Sequence, residues 1–72
     1  MQYYERLKEI RLDRDENQKD VATILETTKQ QISKYETGVN EMTVSKLRTL
    51  CLHYGVSADY ILGLPKGLKW PR

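Results

Sequence analysis

The sequence is poor in the residues that small proteins use for covalent or metal-based stability. Its 72 residues include one cysteine and one histidine, so no internal disulfide can form. Cys51 and His53 lie two positions apart in a helical pattern and therefore point to different sides of the helix. We expect Cys51 to be a core thiol and His53 an exposed helix residue, with no metal site and no cofactor.

Long apolar runs and glycine-rich segments are also missing. No stretch of eighteen uncharged apolar residues occurs, and the start, residues 1–5, lacks the apolar run of a signal peptide. The four glycines are scattered, which argues against a phosphate-binding loop and, with the lack of a nucleophile and base, against an enzyme. The length predicts a single domain. The missing apolar runs predict a cytoplasmic protein without a membrane segment.

What the chain does have is helical spacing of apolar residues almost throughout, and no segment alternates as a strand does. The pattern predicts five helices in an all-α domain over residues 1–64, with a tail over 65–72 that Pro65 and Gly67 interrupt. Helix one ends near Arg14. The predicted N-caps of the other four are Asn17, Thr28 (in a capping box with Gln31), Thr43 and Ser57, and Gly38 and Gly55 end helices three and four.

Two short helices joined by a tight turn, over residues 18–38, are the arrangement that places one helix in a DNA major groove. The residues here resemble the lambda-repressor-like, or Xre-type, helix-turn-helix family. The resemblance rests on Gln18, Val21, Ala22, Leu25, Ile32, the run Tyr35-Glu36-Thr37-Gly38, and the later residues Leu47, Leu50 and 54–63. It implies a five-helix fold and a repressor that binds double-stranded DNA.

The third helix has an inner and an outer face. Ile32 and Tyr35 are three residues apart and predict the buried side. The outward set is Lys29, Gln30, Ser33 and Lys34, which we expect to contact bases. Lysine can donate to guanine O6 and N7, and glutamine can pair with adenine. The alternative is that these residues form only a solvated face.

Contacts with the DNA backbone are also expected, and the resemblance implies the one at Gln18. The candidates are Gln18, Thr28, Thr43 and Ser45. The alternative for Gln18 and Thr28 is a purely local role as polar residues at helix starts. Lys34 is a further candidate for a phosphate contact. The loop over residues 39–42 is often basic in relatives but here lacks positive charge, and the net charge is only +2. We therefore expect fewer neutralised phosphates and weaker DNA binding than in those relatives.

Two further expectations come from the family pattern. Arg11 and Glu36 should form a structural ion pair that holds helix one against the end of helix three. Glu26 stands in the turn where relatives usually have glycine, so a positive φ there would be strained.

Another expectation concerns assembly: Tyr60, Ile61, Leu62 and Leu64 are more apolar than the terminal helix of a monomer requires, so part of them should be core and the remainder a dimer contact. Tyr60, Ile61 and Leu64 are predicted dimer contacts, and a two-fold dimer implies a palindromic operator. A different function is also open, in which an antitoxin-like or adaptor module holds a protein through helix five and the tail. Trp70 would then dock on that protein or on a second subunit; otherwise it belongs to a disordered terminus.

Overall fold

The computed structural model describes residues 1–69 and contains five α-helices in that range. They are α1 (Tyr3–Asp13), α2 (Gln18–Ile24), α3 (Lys29–Glu36), α4 (Val44–Tyr54) and α5 (Ala58–Leu62). The all-α, five-helix prediction is confirmed. None of the helices in the described part of the chain is long and apolar enough to cross a bilayer.

The helices begin at polar capping residues, as their sequence predicts. Asn17 accepts from the backbone N–H of Asp20 at 2.8 Å, and the Asp20 carboxylate accepts from the Asn17 N–H at 2.9 Å. Thr28, Thr43 and Ser57 accept from the third N–H of their helices. These caps satisfy backbone donors that have no partner within the helix.

The capping box predicted for α3 is only half formed. Thr28 accepts from the Gln31 N–H at 3.1 Å, but the Gln31 side chain does not turn back to Thr28. Its Oε1 instead accepts from Asn40 Nδ2 at 3.4 Å. A contact with the loop after α3 has therefore replaced a local contact, and it ties that loop to the helix.

The core lies where α1, α4 and α5 meet the α2–α3 pair. The buried core side chains are aliphatic residues, two tyrosines and one cysteine: Leu7, Val21, Ala22, Leu25, Ile32, Tyr35, Leu50, Cys51, Tyr54 and Ile61. The expectation that Cys51 is a core thiol is confirmed, and burial raises the pKa of this thiol. No three His, Cys, Asp or Glu side chains come together within residues 1–69.

The dimer contact predicted at Ile61 is wrong. Its side chain has no exposed surface and packs in the monomer core, so it cannot reach a second copy. Tyr60, Ile61 and Leu62 are consecutive apolar residues in a helix of only five residues. Periodicity cannot tell which of three such residues faces inward, and packing of α5 against α1 and α4 selects Ile61.

Candidate nucleic-acid interface

The third helix separates its buried and exposed residues cleanly. Ile32 and Tyr35 are 2% and 5% exposed and anchor α3 on the core. The four predicted base-contacting residues, Lys29, Gln30, Ser33 and Lys34, are all solvent-exposed. The structure therefore presents their side chains together on one accessible surface, which we name the α3 outer face.

A tight turn holds α2 against α3. Leu25 ends α2, Glu26 adopts a left-handed conformation with φ of 54°, and the Thr27 N–H donates to the Ala22 carbonyl at 2.9 Å. Glu26 thus has the positive φ that is strained for a residue other than glycine. Ala22 is buried, and its small side chain permits the close packing of the two helices.

A buried ion pair joins α1 to the end of α3. Arg11 Nε donates to Glu36 Oε2 at 2.7 Å and an Arg11 terminal nitrogen donates to Glu36 Oε1 at 3.1 Å, with both side chains less than a tenth exposed. Arg11 also donates to the Glu16 carbonyl at 2.9 Å. This is the pair that the family resemblance implied, and its fork geometry fixes the carboxylate in the core.

The first residue of α2 is connected to the same pair. Gln18 Nε2 donates to Glu36 Oε1 at 2.9 Å, and Gln18 is partly exposed. The sequence did not predict this hydrogen bond, because it depends on how α2 and α3 pack and not on local spacing. The contact leaves one of the two N–H groups of Nε2 for another partner.

The other three predicted phosphate contacts lie at helix starts and are exposed. Thr28 and Thr43 use their hydroxyl oxygens to accept backbone N–H groups, and Ser45 lies in the first turn of α4. A threonine hydroxyl that accepts a cap bond still has its own proton to donate. Capping and phosphate contact are therefore chemically compatible at Thr28 and Thr43.

Lys46 is a basic residue of this surface that the sequence interpretation missed. Its Nζ lies 3.5 Å from the Tyr35 hydroxyl and 5.8 Å from the centre of the Tyr35 ring. A lysine ammonium is thus placed beside the C-terminal half of α3. The available signal was its position in the first turn of α4, three residues after the Thr43 cap, where it is the only basic residue.

A second set of polar contacts lies at the α1–α2 junction. His53 Nε2 is 2.7 Å from Glu16 Oε2, so His53 is a tether and not simply an exposed helix residue. Arg14 donates to the Tyr54 carbonyl at 2.8 Å. Burial raises the pKa of the Tyr54 phenol, and the negative charge of nearby Glu16 raises it further.

The predicted dimer contacts Tyr60 and Leu64 are accessible, at 53% and 45% exposed. Leu68 lines the same cleft as these two residues, and Leu62 is also exposed; we name these four residues the α5 apolar surface. Arg6 supports it from α1, because its guanidinium donates to the Tyr60 carbonyl at 2.9 Å and lies 5.5 Å from the Tyr60 ring centre. Trp70, the proposed docking residue of the tail, lies outside the described residues.

Solved structures and a family model match this arrangement. The P22 c2 repressor, in complex with synthetic operator 9T and Tl⁺, is 22% identical, with a TM-score of 0.77 over 86% of this chain and 94% of that one. A transcriptional regulator from Listeria innocua is 19% identical, with a TM-score of 0.84 over 94% of this chain. The chain spans 64% of the Listeria protein's length.

No curated protein matches the sequence. At these identities the structural matches establish the fold, and they confirm the predicted lambda-repressor-like architecture. The family model is described as a helix-turn-helix domain and matches residues 4–66, which is most of the chain. The chain therefore belongs to the helix-turn-helix domain family of DNA-binding proteins.

Proposed function

We propose that this protein is a sequence-specific repressor that binds a palindromic DNA operator as a homodimer. The observation that carries the proposal is the α3 outer face: four exposed polar side chains on a helix whose opposite side is anchored in the core. The fold is shared with the P22 c2 repressor, whose structure contains a synthetic operator. The same helix of this chain is then the one that enters the major groove.

The α3 outer face has the donor chemistry for reading bases. Lys29 and Gln30 lie in the first turn of α3, the part of a recognition helix that reaches base edges. Lysine donates to guanine O6 and N7, and glutamine pairs bidentately with adenine N6 and N7. Ser33 and Lys34 lie about one turn further on and contact a further base or the backbone.

Phosphate contacts flank this helix on both sides. Gln18 lies on the α2 side, and Thr28 lies at the start of α3 itself. Thr43, Ser45 and Lys46 lie on the α4 side, where Lys46 supplies a cation that the loop over residues 39–42 lacks. These contacts orient the protein on the duplex without reading sequence.

Dimerisation through the α5 apolar surface follows from its exposure. Tyr60, Leu62, Leu64 and Leu68 are large apolar residues left in solvent by the monomer. Tyr60, Leu64 and Leu68 line one cleft, and exposed apolar patches mark interaction sites. A two-fold dimer sets the two α3 helices about 34 Å apart, one turn of DNA, so each reads one half-site.

The test is selection of bound duplexes from a random pool at two salt concentrations, followed by binding of variants to the enriched sequence. The unmodified chain should enrich a palindrome. Lys29→Ala and Gln30→Ala should each lose preference for it while the free energy of unfolding changes by less than about 0.5 kcal/mol. Leu12→Ser, an exposed position on α1, is the control that keeps the preference.

A second candidate function uses the same α5 apolar surface to hold a different protein, as in an antitoxin-like or adaptor module. The four exposed apolar residues of that surface favour this candidate as much as they favour dimerisation. Removal of residues 65–72 distinguishes the two. Loss of a bound partner protein with unchanged DNA affinity supports the module, whereas a truncated chain that loses no partner and still dimerises and binds DNA supports the repressor.

A further inference from the structure

We infer that Glu36 is a positioning residue for DNA binding: with Arg11 as its support, it holds the Gln18 side-chain amide in the orientation that meets a backbone phosphate. This inference rests on the proposed function, and it extends the role of the Arg11–Glu36 pair beyond stability. The observation behind it is the hydrogen bond that Gln18 Nε2 donates to Glu36 Oε1 at 2.9 Å.

The Glu36 carboxylate determines which end of the Gln18 amide faces inward. A carboxylate only accepts hydrogen bonds, so the group that Gln18 turns toward it must be the NH₂ and not the carbonyl. A free glutamine would have to choose among several rotamers and two amide orientations on meeting a phosphate. Fixing the side chain beforehand removes that entropic cost from binding.

Arg11 makes a carboxylate tolerable at this place. An unpaired negative charge near the DNA backbone would repel phosphates, and an unpaired buried charge would destabilise the fold. The two Arg11–Glu36 hydrogen bonds of 2.7 Å and 3.1 Å neutralise the carboxylate while leaving Oε1 able to accept from Gln18. The third Arg11 contact, on the Glu16 carbonyl, fixes the guanidinium to the α1–α2 connection.

The α3 helix and the Gln18 contact are thereby linked. Glu36 is the last residue of α3 and Gln18 the first of α2, so the hydrogen bond sets the phosphate-contacting group at a fixed position relative to the α3 outer face. Movement of α3 relative to α2 would break the contact. We therefore expect the contact of Gln18 with a DNA phosphate to form together with the base contacts of the α3 outer face and not independently of them.

A double-mutant cycle tests the coupling. Arg11→Met with Glu36→Leu replaces the buried pair by apolar side chains of similar size, a change that retains folding in other buried pairs and leaves the net charge unchanged. In the unmodified chain, Gln18→Ala should weaken binding to the selected duplex about threefold to tenfold. In the pair-replaced chain the same substitution should change affinity less than about twofold.

The control is Lys8→Gln with Glu9→Gln, which is also charge-neutral and also on α1 but exposed. In that background Gln18→Ala should keep its full effect. In all backgrounds the ratio of affinities for the selected and a scrambled duplex should stay constant, since a phosphate contact carries no sequence information. A Gln18→Ala effect of equal size in the unmodified and pair-replaced chains overturns the inference, as does no effect in the unmodified chain.

NMR of the unmodified protein provides a test that needs no variant to fold. One side-chain amide proton of Gln18 should exchange with solvent more slowly than those of the exposed Gln30, and the Gln18 signals should shift when the selected duplex is added. Gln18 protons that exchange as fast as those of Gln30 show that Glu36 does not hold the amide, even if the protein binds DNA normally. A chain that binds no duplex overturns the proposed function, and this inference with it.

Discussion

Two non-glycine residues of the described chain, Asp15 and Glu26, adopt left-handed backbone conformations, with φ of 55° and 54°. Each lies in the connection that precedes a helix carrying part of the proposed site. Aspartate tolerates this conformation better than most residues, because its short side chain can hydrogen-bond locally, whereas glutamate does not have that advantage. The two positions therefore store different amounts of strain in otherwise similar backbone.

Replacing Glu26 by glycine should stabilise the protein. Glycine removes a left-handed penalty of about 1–2 kcal/mol but loses more chain entropy on folding, so the net gain in unfolding free energy should be up to about 1 kcal/mol. Asp15→Gly is the matched control and should gain less. Urea denaturation measures both, and an equal or larger gain at Asp15 would contradict the explanation.

Gly38 and Gly55 offer a second matched comparison at single residues. Both have positive φ, +78° and +70°, but a Cβ at Gly38 would lie 2.6 Å from Tyr4 Cζ, whereas one at Gly55 meets nothing within 4 Å. Gly55→Ala should cost about 1 kcal/mol from backbone strain alone. Gly38→Ala should cost roughly 1 kcal/mol more, since Tyr4 must move.

The comparison can be checked by removing the obstructing ring. In a Tyr4→Ala background the two glycine substitutions should cost the same, as measured by thermal and urea unfolding. A Gly38→Ala cost that stays larger in that background would show that the ring is not the cause.

Single residues also show where sequence reasoning ends. Caps such as Asn17 and Thr43 depend on near neighbours and were predictable from local chemistry, whereas the strained turn at Glu26 was indicated only by the family resemblance. The burial of Ile61 and the Gln18–Glu36 hydrogen bond depend on how distant helices pack. Nothing in the local pattern specifies that packing, so the first was assigned wrongly and the second was not foreseen.

At the scale of helices, the start of α3 combines two roles that one substitution can separate. Thr28 caps α3 by accepting the Gln31 N–H at 3.1 Å, and we propose that its hydroxyl also donates to a phosphate. Aspartate caps helices at least as well as threonine but cannot donate a hydrogen bond and is negatively charged. Thr28→Asp should therefore keep or raise stability while it weakens DNA binding about tenfold or more.

Thr28→Ala provides the complementary measurement, since it should cost about 1 kcal/mol of stability through loss of the cap. DNA affinity and unfolding free energy are measured on the same preparations. An aspartate variant with full DNA affinity would mean that Thr28 is only a cap, because both the lost donor and the added charge require a nearby phosphate to matter.

At the scale of the whole molecule, the buried Tyr54 phenol makes stability depend on pH. Its pKa is raised in the folded state above the ordinary value of about 10, by burial first and then by Glu16. The folded protein therefore keeps the phenol proton more tightly than the unfolded chain does. This contribution is fully present below pH about 10 and is lost as the pH rises above it.

Tyr54→Phe removes the titrating group from the core. Its unfolding free energy should fall less between pH 9.5 and 11.5 than that of the unmodified protein, on the order of 1 kcal/mol less. The difference in slope is the readout, since the substitution also removes a buried hydroxyl and shifts stability at every pH. Parallel curves for the two proteins would contradict the assignment to Tyr54.

The distribution of charge over the molecule links assembly to salt dependence. The net charge is only +2, and acidic residues predominate before the α2–α3 turn, so one subunit offers few cations to DNA. Lys29, Lys34 and Lys46 are those near the α3 outer face. Each neutralised phosphate contributes about −0.9 to the slope of log K against log salt, which predicts roughly −5 for a dimer and half that for one subunit.

Tyr60→Ala with Leu64→Ser should separate the subunits, because it removes the two predicted contacts of the α5 apolar surface without changing the charge. Sedimentation velocity should then give a monomer, and the salt slope of duplex binding should halve. Leu12→Ser, at a residue 54% exposed on α1, should change neither. A monomer that keeps the full slope would mean that one subunit supplies all the phosphate contacts, and a palindromic operator would then have no electrostatic basis.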